Sequence, residues 1–148
     1  MKLNLGCSDD IRAGWINVDR YPPADRIADL EGPWPWIDSS IDEILAQDVI
    51  EHLHDKIHTM NELWRVLKPG GRVTIGVPTT DGSGAWQDPT HVSFWNRRSF
   101  LYFEKGSSYR ERFIKSYGVK AAFRVISESL VQTVADGPKL TIVLEAVK

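Results

Sequence analysis

Leu3–Leu5 is an apolar run closed by Gly6, and a second apolar run, Ile16–Asp19, begins after only Cys7–Trp15. This spacing constrains the fold more than any other feature of the chain. The two runs read as neighbouring strands of an α/β sheet, with a glycine turn after the first and an acid at the tip of the second, the arrangement by which such a sheet holds a nucleoside. Glycine lets backbone approach a ligand closely, and an acid at Asp19 accepts hydrogen bonds from both ribose hydroxyls. A parallel crossover ordinarily takes about a dozen residues or more, usually a helix. Cys7–Trp15 therefore holds at best one helical turn. The sheet is expected to be thinly covered there, with Trp15 as the cover, and a homodimer is the expected way to shield it further.

The rest of the chain supplies the partners for those strands. Ile27–Asp29 reads as a short third strand, Glu31–Trp36 as a proline-broken loop, and Ile41–Gln47 as a fourth strand. Ile50, Leu53, Ile57, Met60, Leu63, Trp64 and Leu67 recur at helical spacing, which predicts an amphipathic helix over Glu51–Leu67. Lys68-Pro69-Gly70-Gly71 stops it. Arg72–Val77 reads as a fifth strand, Pro78–Val92 as a loop, and Asn96–Phe103 and Arg110–Tyr117 as helices. Ala122–Val131 and Leu140–Val147 alternate apolar and polar residues as antiparallel strands do, with Asp136-Gly137-Pro138 turning between them. The expected architecture is a Rossmann-like, mostly parallel sheet of seven strands with a C-terminal antiparallel hairpin and a truncated first helix.

Composition excludes several functions. A chain of 148 residues is one domain, 1–148. A net charge of −2 supplies no basic field for nucleic acid. One cysteine rules out an internal disulfide and fits the cytoplasm. No apolar run approaches bilayer length and no signal peptide precedes the first strand, so a membrane partner is not expected.

Leu3-Asn4-Leu5-Gly6-Cys7, Asn17-Val18-Asp19, Ala28-Asp29-Leu30, Val49-Ile50-Glu51-His52-Leu53 and Leu67-Lys68-Pro69-Gly70-Gly71-Arg72, in that order, resemble the class I S-adenosylmethionine-dependent methyltransferases. The resemblance covers residues 1 to about 80. Asp88-Pro89-Thr90-His91-Val92-Ser93-Phe94-Trp95 further resembles a subgroup of small "type 11" methyltransferases. The chain departs from the pattern in two ways. Ser8 stands where the family has its second glycine, and the third glycine and most of the first helix are missing. The N-terminal helices that lid the cofactor in many relatives are also expected to be absent, or supplied by another subunit.

The resemblance implies S-adenosyl-L-methionine contacts at Gly6, Cys7, Ser8, Asp19, Arg20, Asp29, Leu30, Gln47 and Asp48. Asp19 is placed on the ribose, Asp29 and Leu30 on adenine, and Gln47 and Asp48 near the methionyl end. Cys7 is expected to be a small buried filler, not a nucleophile. Asp48 has an alternative reading as the N-cap of the following helix, with Glu51 completing a capping box. His91, in the loop where relatives meet substrate, and His52 are the candidate catalytic residues. Trp86, Trp95 and Tyr102 either line an acceptor pocket or pack. His54 and His58 share helical spacing but no third ligand accompanies them, so no metal is expected. Glu62 and Arg65 are expected on a wet helix face.

The implied cofactor carries a sulfonium, an ammonium and a carboxylate but no phosphate, so a full glycine fingerprint is not needed. The expected activity is methyl transfer to a small-molecule or sugar acceptor. Two other readings are a methyltransferase-like binding or regulatory module without catalysis, and a dinucleotide oxidoreductase, the latter opposed by the missing Gly-x-Gly-x-x-Gly.

Overall fold

The computed structural model describes residues 1–148. Seven strands form one sheet: β1 (Lys2–Leu5), β2 (Ile16–Asp19), β3 (Arg26–Ile27), β4 (Ile41–Gln47), β5 (Leu67–Pro78), β6 (Phe123–Thr133) and β7 (Gly137–Ala146). Their spatial order is β3-β2-β1-β4-β5-β7-β6. β1 pairs in parallel with both β2 and β4, and β7 closes the sheet antiparallel to β5 and β6. The expected Rossmann-like fold with a C-terminal hairpin is therefore the observed one. Strand order reverses between β1 and β4. In such sheets the crevice beyond the carboxyl ends of the strands at this reversal holds ligands. Gly6 and Asp48 lie there.

Burial follows strand position. Central β4 buries Ile41, Ile44, Leu45 and Ala46, whereas edge strand β6 is exposed along most of its length. β7 alternates, with Leu140, Ile142, Leu144 and Ala146 inward. α1 (Lys56–Val66) presses Met60, Leu63 and Val66 into this core, and Trp95, Phe100 and Phe103 join it from the later segments.

The crossover Cys7–Trp15 has turns but no helix. Two buried asparagines hold it instead. Asn4 Nδ2 donates to the Asp10 carbonyl at 2.6 Å and to Asn17 Oδ1 at 3.1 Å. Asn17 Oδ1 also accepts from the Arg12 amide at 2.9 Å, and Asn17 Nδ2 donates to Asp25 Oδ2 at 2.7 Å. Side-chain amides thus satisfy backbone groups that helical bonds would otherwise pair. Trp15 is half-buried, with the Lys2 ammonium 5.2 Å from its ring centroid.

Several elements differ from expectation. The helix predicted over Glu51–Leu67 is broken into a 3₁₀ turn, Ile50–His52, and α1. Asp55 causes the restart: its side chain accepts the His58 amide as an N-cap. Asp48 caps nothing, since the N-cap of the 3₁₀ turn is Val49, without a side-chain bond. β3 is Arg26–Ile27, not Ile27–Asp29, and β5 starts at Leu67, because the Lys68–Gly71 stop is absorbed as an irregularity between Ile41 and Glu43 of the β4 pairing. The loop Pro78–Val92 contains a one-turn helix, α2 (Gly84–Gln87). Asn96–Phe103 is a 3₁₀ helix, Arg97–Tyr102, with Asn96 and Ser99 forming a capping box. α3 is Ser108–Tyr117, ended by Gly118 at φ +71°. The hairpin turns over residues 134–136, with Gly137 already in β7.

Glu62 and Arg65 are not a wet face. Arg65 bonds Glu62, Asp38 and the carbonyls of Trp34 and Trp36, and Glu62 accepts the Trp34 amide at 2.9 Å. They tie the proline-broken loop to α1. No helix is long and apolar enough to cross a membrane.

Candidate functional site

Three residues around the reversal between β1 and β4 hold backbone angles that favour glycine. Gly6, Ser8 and Asp48 have φ of +60°, +42° and +52°. At Gly6 a Cβ would come within 2.5 Å of Val49 Cγ2, so the position admits only glycine on two counts. Left-handed backbone at Ser8 and Asp48 costs about 1–2 kcal/mol each, and such strain concentrates at ligand sites.

These residues open on a cavity of about 350 Å³, within the range of small-molecule sites. Gly6, Ser8, Asp19, Arg20, Leu30, Asp48 and His52 from the sequence reading line it, joined by Tyr21, Ala28, Val49 and Leu53, which that reading missed. Ala28, Leu30, Val49 and Leu53 make an apolar wall. Asp19 stands across the mouth of the β1 turn: its Oδ2 accepts the Ser8 amide at 2.9 Å and its Oδ1 the Tyr21 amide at 3.2 Å. Both carboxylate oxygens retain lone pairs for further donors.

Three expected cofactor residues lie elsewhere. Cys7 is buried, with its thiol pKa raised first by burial and then by the Asp19 charge, so it is not an activated nucleophile. Cys7 and Gln47 line an adjoining depression that shares Gly6, Ser8 and Asp48 with the main cavity. Asp29 does not line the cavity. Its carboxylate accepts from Arg20 at 2.7 Å and from the Glu31 amide at 3.0 Å, which hold its pKa below the usual range. β3 stops at Ile27, and Asp29, two residues beyond it and just before the turn at Leu30–Glu31, meets Arg20 at the surface.

The cavity meets a second, polar bay of about 230 Å³ at Asp48 and His52. Glu51, His91, Asp88, Asp136 and Lys139 line this bay. The 3₁₀ turn carries Glu51 and His52 into it. The Glu51 carbonyl accepts the amides of Val92 and Ser93 at 2.9 and 3.0 Å, which draws His91 alongside. The His52 and His91 rings meet edge to face, 4.8 Å between centroids. Thr90 links the loop back, since its hydroxyl donates to Asp88 Oδ1 at 2.6 Å and contacts His52 Nδ1 at 3.0 Å. Thr90 holds the Asp88 carboxyl below its usual pKa, through its hydroxyl first and then its amide.

Glu51 is the residue sequence reasoning missed. Its side chain is buried, and Oε2 has no hydrogen-bond partner. Burial, with a smaller push from Asp48, raises its carboxyl to about 7. The signal is the Glu51-His52 pair itself, in which the sequence reading takes His52 as a catalytic candidate but Glu51 only as the partner in a capping box.

His54 and His58 both reach the turn at Glu31–Gly32. His54 lies outside α1 and contacts Glu31 at 2.7 Å, while His58 Nε2 contacts the Gly32 carbonyl at 2.9 Å. Trp95 and Tyr102 pack, Trp95 in the core and Tyr102 against Tyr109, Phe113 and Tyr117; Trp86 is exposed and stacks on Phe94.

Residues 10–75 match the family model described as "Methyltransferase domain". Over this span the chain is similar to methyltransferase domains. The match begins within the first crossover, after Gly6 and Ser8, and runs into β5, so it takes in the rest of the cavity's lining. Over 63 residues the chain is 38% identical to a "Probable S-adenosylmethionine-dependent methyltransferase" of Mycolicibacterium smegmatis, covering 40% of the chain and 23% of that relative. It is 38% identical over 47 residues to the 27-O-demethylrifamycin SV methyltransferase of Amycolatopsis mediterranei, covering 32% of the chain and 16% of that relative. The chain thus spans less than a quarter of the length of either curated relative. Among solved structures, the fold is similar to that of Burkholderia thailandensis 1,6-didemethyltoxoflavin-N1-methyltransferase, crystallised with its substrate and S-adenosylhomocysteine. The TM-score is 0.64 at 13% identity, covering 99% of this chain and 71% of that one.

Proposed function

We propose that this chain binds S-adenosyl-L-methionine in the cavity between β1 and β4 and transfers its methyl group to a small-molecule or sugar acceptor in the polar bay. The observation that carries this reading is the Asp19 carboxylate, fixed by the Ser8 amide at the mouth of a cavity with an apolar wall. Ribose hydroxyls are donors and fit that carboxylate; an adenine ring fits Ala28, Leu30 and Val49. Asp48, where cavity and bay meet, places negative charge beside the expected sulfonium. Asp29 reaches adenine only if it leaves Arg20. The relatives that methylate rifamycin and toxoflavin precursors favour a small acceptor.

When bound, the cofactor supplies an electrophilic methyl group whose sulfur leaves with the bonding electron pair. The chain's own contribution is alignment, for which effective molarities reach about 10⁵ M or more. His91 and His52 hold the acceptor heteroatom in the bay and take up its proton where it has one to lose, which adds roughly 10²–10⁴-fold.

Calorimetry with S-adenosylmethionine and S-adenosylhomocysteine tests the binding half, and a screen of acceptors with labelled methyl donor tests the transfer. Binding of both, with label appearing in an acceptor, is the expected result. No heat and no thermal shift at millimolar ligand overturns the reading. His91→Ala is expected to reduce turnover with little change in cofactor affinity; unchanged turnover removes His91 from the chemistry.

A further inference from the structure

The sequence reading assigned this chain no metal, and the His54/His58 pair that raised the question is engaged with Glu31 and the Gly32 carbonyl. A different group of side chains answers to the chemistry of a cation. One ligand atom each from Glu51, His52 and His91 lie within 4.8 Å of one another. They come from two segments joined by the Val92 and Ser93 amides on the Glu51 carbonyl, by the Ser93 hydroxyl on the Ile50 carbonyl at 2.9 Å and by Thr90 on His52.

The hydrogen bonds around these residues are those of ligands held ready. His91 Nδ1 lies 3.0 Å from the Ala85 carbonyl, and His52 Nδ1 lies 3.2 Å from the Thr90 carbonyl. A carbonyl only accepts, so both Nδ1 atoms carry protons and each ring, when neutral, keeps its lone pair on Nε2; the nearest carboxylate to His91 Nε2, Asp88 Oδ2, stands 3.8 Å away, beyond hydrogen-bond reach. The Thr90 hydroxyl agrees: its own proton goes to Asp88, so it accepts from His52 Nδ1. Metal-binding histidines are oriented in this way, donating the second ring N–H to a carbonyl. Glu51 adds the third observation. A glutamate 2% exposed whose Oε2 has no partner is costly in a protein interior, and that oxygen belongs to a residue lining the bay.

We propose that Glu51, His52 and His91 bind a divalent first-row transition cation of the zinc or cobalt kind. Two imidazoles and one carboxylate suit such ions and not magnesium or calcium, which favour oxygen ligands alone. The bay's charge favours a cation, since Asp48, Asp88 and Asp136 join Glu51 there and Lys139, paired with Asp48, is the one lysine lining it. Bonds of about 2.1 Å in a tetrahedral site put ligand atoms about 3.4 Å apart, so binding draws the three side chains together. A site with three protein ligands keeps a position for an outside oxygen. A cation held through both Nε2 atoms takes the place of a histidine base, because it makes an oxygen bound to it more acidic; resting on the methyl-transfer reading for its place, the acceptor is one with a hydroxyl or carboxylate oxygen able to bind the cation beside the donor cavity.

The test titrates Co²⁺, followed by its visible absorption, and Zn²⁺, by calorimetry, into the full chain after chelator treatment. The expected result is one equivalent bound with micromolar or tighter affinity and a spectrum of mixed nitrogen and oxygen ligation. His52→Ala and His91→Ala, checked for folding by circular dichroism, each weaken binding at least about tenfold, whereas His54→Ala and His58→Ala leave it unchanged. Should a histidine variant fail to fold, the wild-type His52 and His91 ring resonances, shifted by Zn²⁺ while those of His54 and His58 stay in place, carry the same result. Wild-type affinity no better than millimolar, undiminished binding by His91→Ala, or ring shifts at His54 and His58 instead overturns the proposal. S-adenosylhomocysteine binding is measured in parallel with chelator present. Cofactor binding without cation binding refutes the cation site alone, and cation binding without cofactor binding refutes the methyl-transfer reading alone.

Discussion

The Ser8 amide donates to Asp19 Oδ2 at 2.9 Å. That bond joins the turn after β1 to the tip of β2 and sets the carboxylate before any ligand arrives. Asp19→Ala removes both the preset turn and the acceptor for ribose hydroxyls. S-adenosylhomocysteine affinity is expected to fall about tenfold or more, roughly 1.4 kcal/mol, with Asp19→Asn losing less. Calorimetry decides; equal affinities in wild type and Asp19→Ala remove the ribose assignment.

Ser8 departs from the family glycine and adopts φ +42° to do so. Ser8→Gly relieves that strain, and its amide still reaches Asp19. The variant is expected to gain up to about 1 kcal/mol in urea unfolding while binding cofactor at least as tightly. A destabilised Ser8→Gly would show that the serine side chain has a structural role of its own.

Gly6 and Gly14 separate two costs of adding a methyl group. Both have positive φ, +60° and +81°, but a Cβ at Gly14 meets nothing within 4 Å while one at Gly6 strikes Val49. Gly14→Ala is expected to cost about 1 kcal/mol from backbone strain alone, and Gly6→Ala about 2–4 kcal/mol with steric overlap added. Matched urea titrations give the difference. Equal costs would mean Val49 yields freely.

The buried Asn17 takes over the work of the first helix. Asn17→Ala leaves the Arg12 amide without its acceptor, takes one bond each from Asn4 and Asp25, which keep the Asp10 carbonyl and the backbone amide of residue 17, and is expected to cost about 1–3 kcal/mol. Hydrogen exchange should then rise first in residues 7–15. Protection there unchanged from wild type would contradict the staple.

Glu62 gives stability an acid limb. Burial pushes its carboxyl up, but Arg65 and the Trp34 amide outweigh this and leave it below its ordinary 4.5. A folded-state pKa below the unfolded value stabilises above that unfolded value and is lost as pH falls through the folded one. Glu62→Gln is expected to lower stability by about 1–2 kcal/mol at pH 7. The gap should close as the pH is taken below 4.5. Urea midpoints at pH 7 and in acid check this; a gap independent of pH would sink it.

Local pattern determined much of this protein. Strand runs such as Ile41–Gln47 and the alternation in Leu140–Val147 are read from side-chain period, because each strand's burial is written in its own residues. The Gly6 turn and Asp19 at a strand tip were legible for the same reason: a backbone angle and a strand end are local events. The missing first helix was legible from the length of Cys7–Trp15 alone.

Specific polar contacts, some of them local and some distant in sequence, decided the rest. Helical spacing ran unbroken through Leu53 and Ile57, yet Asp55 capped a new helix and left Glu51 and His52 on a separate turn. Arg20 took Asp29 out of the cavity, and Asn17 replaced a helix, through bonds between residues whose types carry no mark of their partners. The cluster of Glu51, His52 and His91 exists because two loop amides reach the Glu51 carbonyl across the fold. Periodicity reports which face of an element is apolar; it does not report which polar groups from elsewhere the folded chain will bury against one another.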